Sequence, residues 1–176
     1  ESKCAMAEFV HLRVHSDYSL SEGASKIEEI VAAAKDLGIP ALALTDRDNL
    51  YGAMDFSKRA SAAGIQPIVG CHVHMEVERG RSGSLLLLAK AETGSWTLCA
   101  VLGAAHDPRP GPDGAVLAPE FPSVSAESLE AHAEGLILLT GGGRDGLLPR
   151  LAGRSPEAAA DAYRWLLSVF GDRLYV

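Results

Sequence analysis

The chain is short of positive charge: 16 Lys and Arg stand against 23 Asp and Glu, a formal net charge of −7. A surface that clamps duplex nucleic acid or an anionic membrane carries the opposite excess, so strong nucleic-acid binding by this chain alone is not expected. Cysteine is scarce too. Cys4, Cys71 and Cys99 are odd in number, far apart and never in a CxxC spacing, and no secretory signal opens the chain. Reduced thiols in a cytoplasmic setting follow as the expectation. Apolar runs such as residues 85–89 fall far below the ~20 residues of a membrane helix. There is no Walker-type phosphate loop, no Gly-x-Ser-x-Gly elbow and no Cys/His nucleophile pair. What is present suits one globular domain with a real core: 176 residues, 47% apolar and 22% charged. Disorder, collagen and coiled coil are excluded.

Hydrophobic periodicity organises the chain. Val10, Leu12 and Val14 alternate with His11, Arg13 and His15, the period of a strand over residues 10–15. Residues 25–28 have the spacing of a capping box, and Ile27, Ile30, Val31, Ala34 and Leu37 continue at helical intervals to Gly38. Strands are expected over residues 40–44, 65–78, 85–89 and 136–140, with a Gly- and Arg-rich, hairpin-like turn over 78–84. Helices are expected over residues 50–63, 94–105 and 126–133. A last one opens with Ser155 as N-cap and Pro156 at N1. Five prolines make residues 106–122 an extended surface loop. About five strand–helix alternations imply a mostly parallel α/β sheet with right-handed crossovers. The chain is too short for an eight-stranded barrel of ~250 residues. Residues 1–5 read as a remnant ahead of a native start at Met6, and residues 173–176 as a strand cut short; the whole reads as part of something larger.

Function in such folds gathers at the C-terminal ends of the strands. That places residues 15–22, 45–49, 71–75 and 141–145 around one rim. His11 and His15, with His72 and His74 on a later strand, could cage a hydrolytic metal beside Asp17, Glu22, Asp46 and Asp48. Against this, Arg13 and Arg47 fall where ligands would have to be, and a permanently charged guanidinium repels a divalent cation. Salt-bridged pocket residues are the plainer reading. The run Gly141-Gly142-Gly143 could cradle phosphate through backbone N–H groups or simply turn the chain. His106 and His132 read as solvated, in a loop and a helix.

Residues 9–20, with Glu22-Gly23-Ala24 after them, resemble the opening of the PHP (polymerase and histidinol phosphatase) domain found at the N-terminus of bacterial replicative DNA polymerase III alpha subunits. Residues 41–46 with Asn49-Leu50-Tyr51-Gly52 are similar to that family's second motif, and residues 64–70 to the segment before its third. Residues 86–90 with Thr93-Gly94, and residues 134–140, extend the likeness over most of the chain. The resemblance implies a distorted seven-stranded α/β barrel, of which residues 6–176 would hold roughly the first two-thirds as a partial PHP domain.

In metal-binding members the resemblance implies a trinuclear cluster at the strand ends and phosphoester hydrolysis, assigned in some polymerases to proofreading. Carried across, the ligand positions are depleted. The first-motif His-x-His becomes Arg13 and His15, while Glu22 keeps the acid before the glycine. The histidine after Thr45-Asp46 becomes Arg47, a glutamate becomes His72, a histidine becomes Ser84 and a cysteine becomes Gly141. The resemblance therefore implies a degenerate, non-catalytic member with no cofactor, acting as a scaffold for the rest of the polymerase alpha subunit and docking the proofreading exonuclease, the epsilon subunit. DNA would be met only through the parent polymerase, a magnesium-dependent nucleotidyltransferase. An active zinc or manganese phosphoesterase or 3'-5' exonuclease using His11, His15, His72 and His74 is the alternative. An open barrel edge would invite self-association.

Overall fold

The structure is a computed structural model and describes residues 9–20, 22–78, 81–107, 109–110, 116–117, 122–143 and 145–176. The expected N-terminal remnant, residues 1–5, and the expected start at Met6 lie outside the described residues. The first regular elements are α1 (Ile27–Asp36), β1 (Ala41–Leu44), α2 (Ala53–Ala62), β2 (Gln66–Glu78) and β3 (Arg81–Ala89). They are followed by α3 (Glu92–His106), the two-residue strands β4 (Arg109–Pro110) and β5 (Val116–Leu117), and α4 (Ala126–Ala131). The chain then forms β6 (Leu136–Leu139), α5 (Leu147–Ala152), α6 (Pro156–Phe170), a 3-10 turn (Gly171–Arg173) and β7 (Leu174–Tyr175).

A five-stranded sheet runs in the order β1-β2-β3-β6-β7, with a separate β4-β5 pair. The main sheet is mixed rather than mostly parallel. β1 with β2 and β6 with β7 are parallel, whereas β2 with β3 and β3 with β6 are antiparallel. The cause is the β2–β3 hairpin: β3 begins at Arg81, not at Leu85, so most of the expected turn is strand and Ser84 sits inside it. Once one strand reverses, its neighbours must pair against it.

One face of the sheet packs on helices. Cys71, Val73 and Met75 of β2 with Leu85 and Leu87 of β3 meet Leu98 of α3, Leu129 of α4, Leu147 of α5 and Leu166 of α6. A second cluster joins Ile27 and Val31 of α1 to Leu42 and Leu44 of β1 and Phe56 of α2. The opposite face holds Ala43, Leu86 and Leu88, flanked by Ile68, Ile137 and Leu139, all from strands. Residues 85–88 are thus buried from both sides, which is why they read as an unbroken apolar run. Each fully buried leucine contributes about 2 kcal/mol.

Three further expectations differ. Residues 10–15 are extended but make only one isolated bridge, His11 with Leu42, and Leu12 remains 36% exposed. α1 is N-capped one residue later than expected: the Glu29 carboxylate accepts from the backbone N–H of Lys26 at 3.0 Å. The expected loop at residues 106–122 contains the β4–β5 pair, and His106 is the last residue of α3; most of that loop lies outside the described residues.

Candidate functional site

The extended segment before α1 runs beside β1 and delivers side chains to the C-terminal end of the sheet. The Ala43 N–H donates to the His11 carbonyl at 2.9 Å and that of Thr45 to the Val14 carbonyl at 2.8 Å. Just beyond, Asp46 is 2% exposed and accepts three hydrogen bonds, from the Ser16 N–H (2.7 Å), the Ser16 hydroxyl (2.7 Å) and the Ser19 hydroxyl (2.6 Å). That carboxylate ties the first rim loop to β1. The chain past β1 stays in register with β2: His72 N–H donates to the Asp46 carbonyl, and Asp48 N–H to the His72 carbonyl, both at 3.0 Å. Arg47 and His72 are thereby adjacent.

These supports bring Arg13, His15, Glu22, Arg47, His72 and Asp145 into one cluster. Arg47 pairs with Glu22 at 2.8 Å and lies 3.7 Å from Asp145, while Arg13 pairs with Asp145 at 2.8 Å. His15 Nδ1 is 3.3 Å from Glu22, and the His15 ring stacks on that of His72 with centroids 5.2 Å apart. His72 Nε2 comes within 3.4 Å of Asp145, yet neither His72 nitrogen makes a well-formed hydrogen bond; His15 Nε2 and Arg47 Nε are also buried without one. Burial, then the charges of Arg47 and Arg13, push the His72 imidazole down to about 3, so it is neutral at physiological pH. Burial lowers His15 too, against the pull of Glu22. For Asp145, burial raises the carboxyl, but the hydrogen bond and charge of Arg13, with Ser84 and His72, hold it below its ordinary value.

Asp145 is the residue that sequence reasoning passed over. It lies in the rim segment 141–145, but its contact with Arg13 spans 132 residues of sequence and no local period announces it. Ser84 fixes it: both its N–H (2.8 Å) and its hydroxyl (3.0 Å) donate to the Asp145 carbonyl. Gly141 supplies the turn, with φ +86°; a Cβ there would come within 2.9 Å of Gly146 Cα. The other expected ligands disperse. His11 is exposed and packs edge-on against Phe9. His74 sits two residues along β2 from His72, beside Asp48, which accepts its N–H at 3.1 Å. Asp17 is exposed, and Asp46 is committed to the two serines. His106 and His132 each meet a carbonyl one turn back, those of Leu102 and Ser128. Cys71 is buried, and its thiol is pushed far up by that burial, so it is no nucleophile.

His15, Glu22 and His72 can present ligand atoms all within 4.8 Å of one another. Two neutral imidazoles and a carboxylate are suitable donors. The carboxylates, however, are already held by guanidiniums at 2.8 Å. A divalent ion ~5 Å from a guanidinium, at an effective dielectric of ~20, is disfavoured by about 7 kcal/mol before screening. The residues present therefore fit a salt-bridged cluster better than a set of metal ions.

A family model described as PHP domain matches residues 11–176. The chain belongs to the PHP domain family. The DNA polymerase III subunit alpha of Caulobacter vibrioides is 44% identical over 177 residues, covering 96% of this chain and 15% of that protein. That of Treponema pallidum is 41% identical, over 94% of this chain and 14% of that protein. An error-prone DNA polymerase of Symbiobacterium thermophilum is 40% identical over 96% of the chain and 16% of its own length. This PHP chain thus spans about 15% of the length of the curated relatives it matches. A solved structure from Bifidobacterium adolescentis, described as a metal-dependent phosphoesterase, superposes with TM-score 0.54 at 14% identity over 89% of this chain and 73% of that one. The shared feature there is the α/β fold of the PHP barrel wall. Among the described residues no helix is long and apolar enough to cross a membrane.

Proposed function

We propose that this PHP domain is a non-catalytic part of a replicative DNA polymerase III alpha subunit, serving as a scaffold for the rest of that polypeptide and as a docking site for the proofreading exonuclease, the epsilon subunit. The observation that carries the reading is the pair of 2.8 Å contacts, Arg47 to Glu22 and Arg13 to Asp145. The two guanidiniums supply the positive charge that metal ions supply in hydrolytic members, and they hold the rim loops to one another through charge-assisted bonds. Nucleotidyl transfer, its magnesium and the contact with DNA belong to the parent polymerase in this reading, in the cytoplasm.

The competing reading is a zinc- or manganese-dependent phosphoesterase or exonuclease, favoured by the convergence of His15, Glu22 and His72. Chelation followed by reloading with Zn or Mn separates the two. The expected result is less than one tightly held ion per chain and no hydrolysis of a chromogenic phosphate monoester. Stoichiometric uptake with metal-dependent turnover would establish the enzyme instead. Docking of the exonuclease is tested by co-elution of the purified epsilon subunit with the chain in gel filtration.

A further inference from the structure

Beside the rim, α3 presents an uncharged surface on an acidic protein. Between its first residue, Glu92, and its last, His106, it carries no charged side chain. Gly94, Leu98, Val101, Leu102 and Ala105 face the core. The outward stripe is Trp96, 72% exposed, then Cys99 and Gly103, one and two turns further on. Beside this stripe a groove of about 470 Å³ opens between α3 and the start of α2, with Leu50, Tyr51 and Leu102 among its walls. Tyr51 is 77% exposed, and its position is set by its N–H donating to Asn49 Oδ1 at 3.1 Å.

Two polar groups of the groove offer acceptors. Asp48 lines it, its backbone held in the left-handed region at φ +53° and its Oδ1 accepting from the His74 N–H. His106 lines it too. Its Nδ1 lies 2.8 Å from the Leu102 carbonyl, which can only accept, so Nδ1 donates, and in that tautomer Nε2 is an acceptor. Exposed acids, Glu92 and Asp107, stand at the two ends of the helix. An apolar wall, an exposed aromatic ring and two acceptors match one side chain above others. Arginine lays an apolar stem on Leu50 and Leu102, stacks its plane on Tyr51 and offers several donors to the carboxylate and imidazole.

We infer that this groove and the α3 stripe form an interaction surface for a partner-protein segment that presents an arginine beside apolar side chains, with Trp96 as the second anchor. Exposed Trp and Tyr next to a complementary charge are the composition of interface hot spots. The inference goes beyond the scaffold reading and holds whether or not the rim binds metal.

Amide NMR of the intact chain with acetyl-Leu-Leu-Arg-amide as probe, and the same peptide with citrulline in place of arginine, tests it. Citrulline keeps the shape and loses the charge. Expected are shifts at Asp48, Tyr51, Cys99 and Gly103 with millimolar affinity, about tenfold weaker for the citrulline peptide. Asp48→Asn keeps the left-handed backbone and the His74 bond, and should reduce the arginine peptide to the citrulline level. Gly103→Gln, at a position where a Cβ meets nothing within 4 Å, should block the stripe with the fold intact. Equal binding of both peptides, shifts mapping to another face, no shifts at all, or peptide-free broadening of these amides with rising protein concentration would each overturn it, the last by assigning the face to a second copy of the chain.

Discussion

At the scale of single residues, the cluster is a balance between buried neutral imidazoles and paired charges, and pH reads it directly. His72 is 1% exposed in its side chain and titrates at about 3 in the folded chain, against an ordinary 6.5. Above pH 6.5 it is neutral folded or unfolded and has no effect. Below 6.5 the unfolded chain takes up a proton that the folded one refuses, so stability falls with pH down to about 3. At pH 4 the loss is about 3 kcal/mol, and the lowered His15 adds in the same direction. Asp145, also lowered, acts only below its ordinary value of 3.8. Asp48 is raised by burial and opposes the trend above 3.8, so the variant decides the attribution. His72→Leu should flatten urea-measured stability between pH 6.5 and 4. At pH 7.5 it should cost less than about 1 kcal/mol, because neither ring nitrogen has a hydrogen bond to lose. An undiminished slope in that variant would move the effect elsewhere. His72, His15, Arg47 and Glu22 were legible in the sequence because motif spacing at strand ends marks them. Asp145 was not, since its role comes from Ser84 and Arg13 across the fold.

At the scale of elements, α3 separates a glycine held by packing from one that is free. A Cβ on Gly94 would sit 2.3 Å from the Gly135 carbonyl oxygen, a backbone atom of the turn before β6 that cannot swing aside. Gly94→Ala should therefore destabilise by about 1–3 kcal/mol through overpacking. Gly103 lies in the same helix with nothing near it, and Gly103→Ala should stabilise by up to about 1 kcal/mol through helix propensity. Thermal melts of the two variants check the contrast; equal shifts would show that the α3–β6 contact is loose. The sequence announced α1 through periodicity and the start of α6 through its cap, and Ser155 indeed accepts from the Ala158 N–H. It concealed α5, a six-residue helix with Pro149 inside it and no side-chain cap at Gly146. It also concealed the first half of β3, because residues 81–84 are turn-like types whose strand pairing comes from the hairpin with β2. Local signals mark elements that hold themselves, whereas long-range pairing makes the rest.

At the scale of the molecule, the alternation of strands and helices revealed the α/β class and the turn at 78–84 the reversal between β2 and β3, but not the antiparallel pairing of β3 with β6, since an apolar run carries no direction. The resulting sheet ends at β7, which pairs with β6 through Leu138–Leu174 and Leu139–Tyr175 and has no strand on its other side among the described residues. Tyr175 is 56% exposed and Val176 90%. An apolar strand edge with unpaired backbone groups is a template for another strand, and charge or proline is what usually blunts it. Here Leu174, Tyr175 and Val176 carry neither. The net charge of −7 opposes association through long-range repulsion, and salt screens that repulsion over about 10 Å at 0.1 M. The 176-residue chain should therefore dimerise with rising concentration, and more strongly at 0.5 M than at 0.05 M NaCl, in sedimentation velocity. Tyr175→Lys should abolish the dimer, because a charge placed on the edge must be desolvated as the strands meet. A dimer that survives Tyr175→Lys would place the contact on another surface. A strictly monomeric chain at all salts would mean that the edge is too short, at two residues, to recruit a partner by backbone pairing alone.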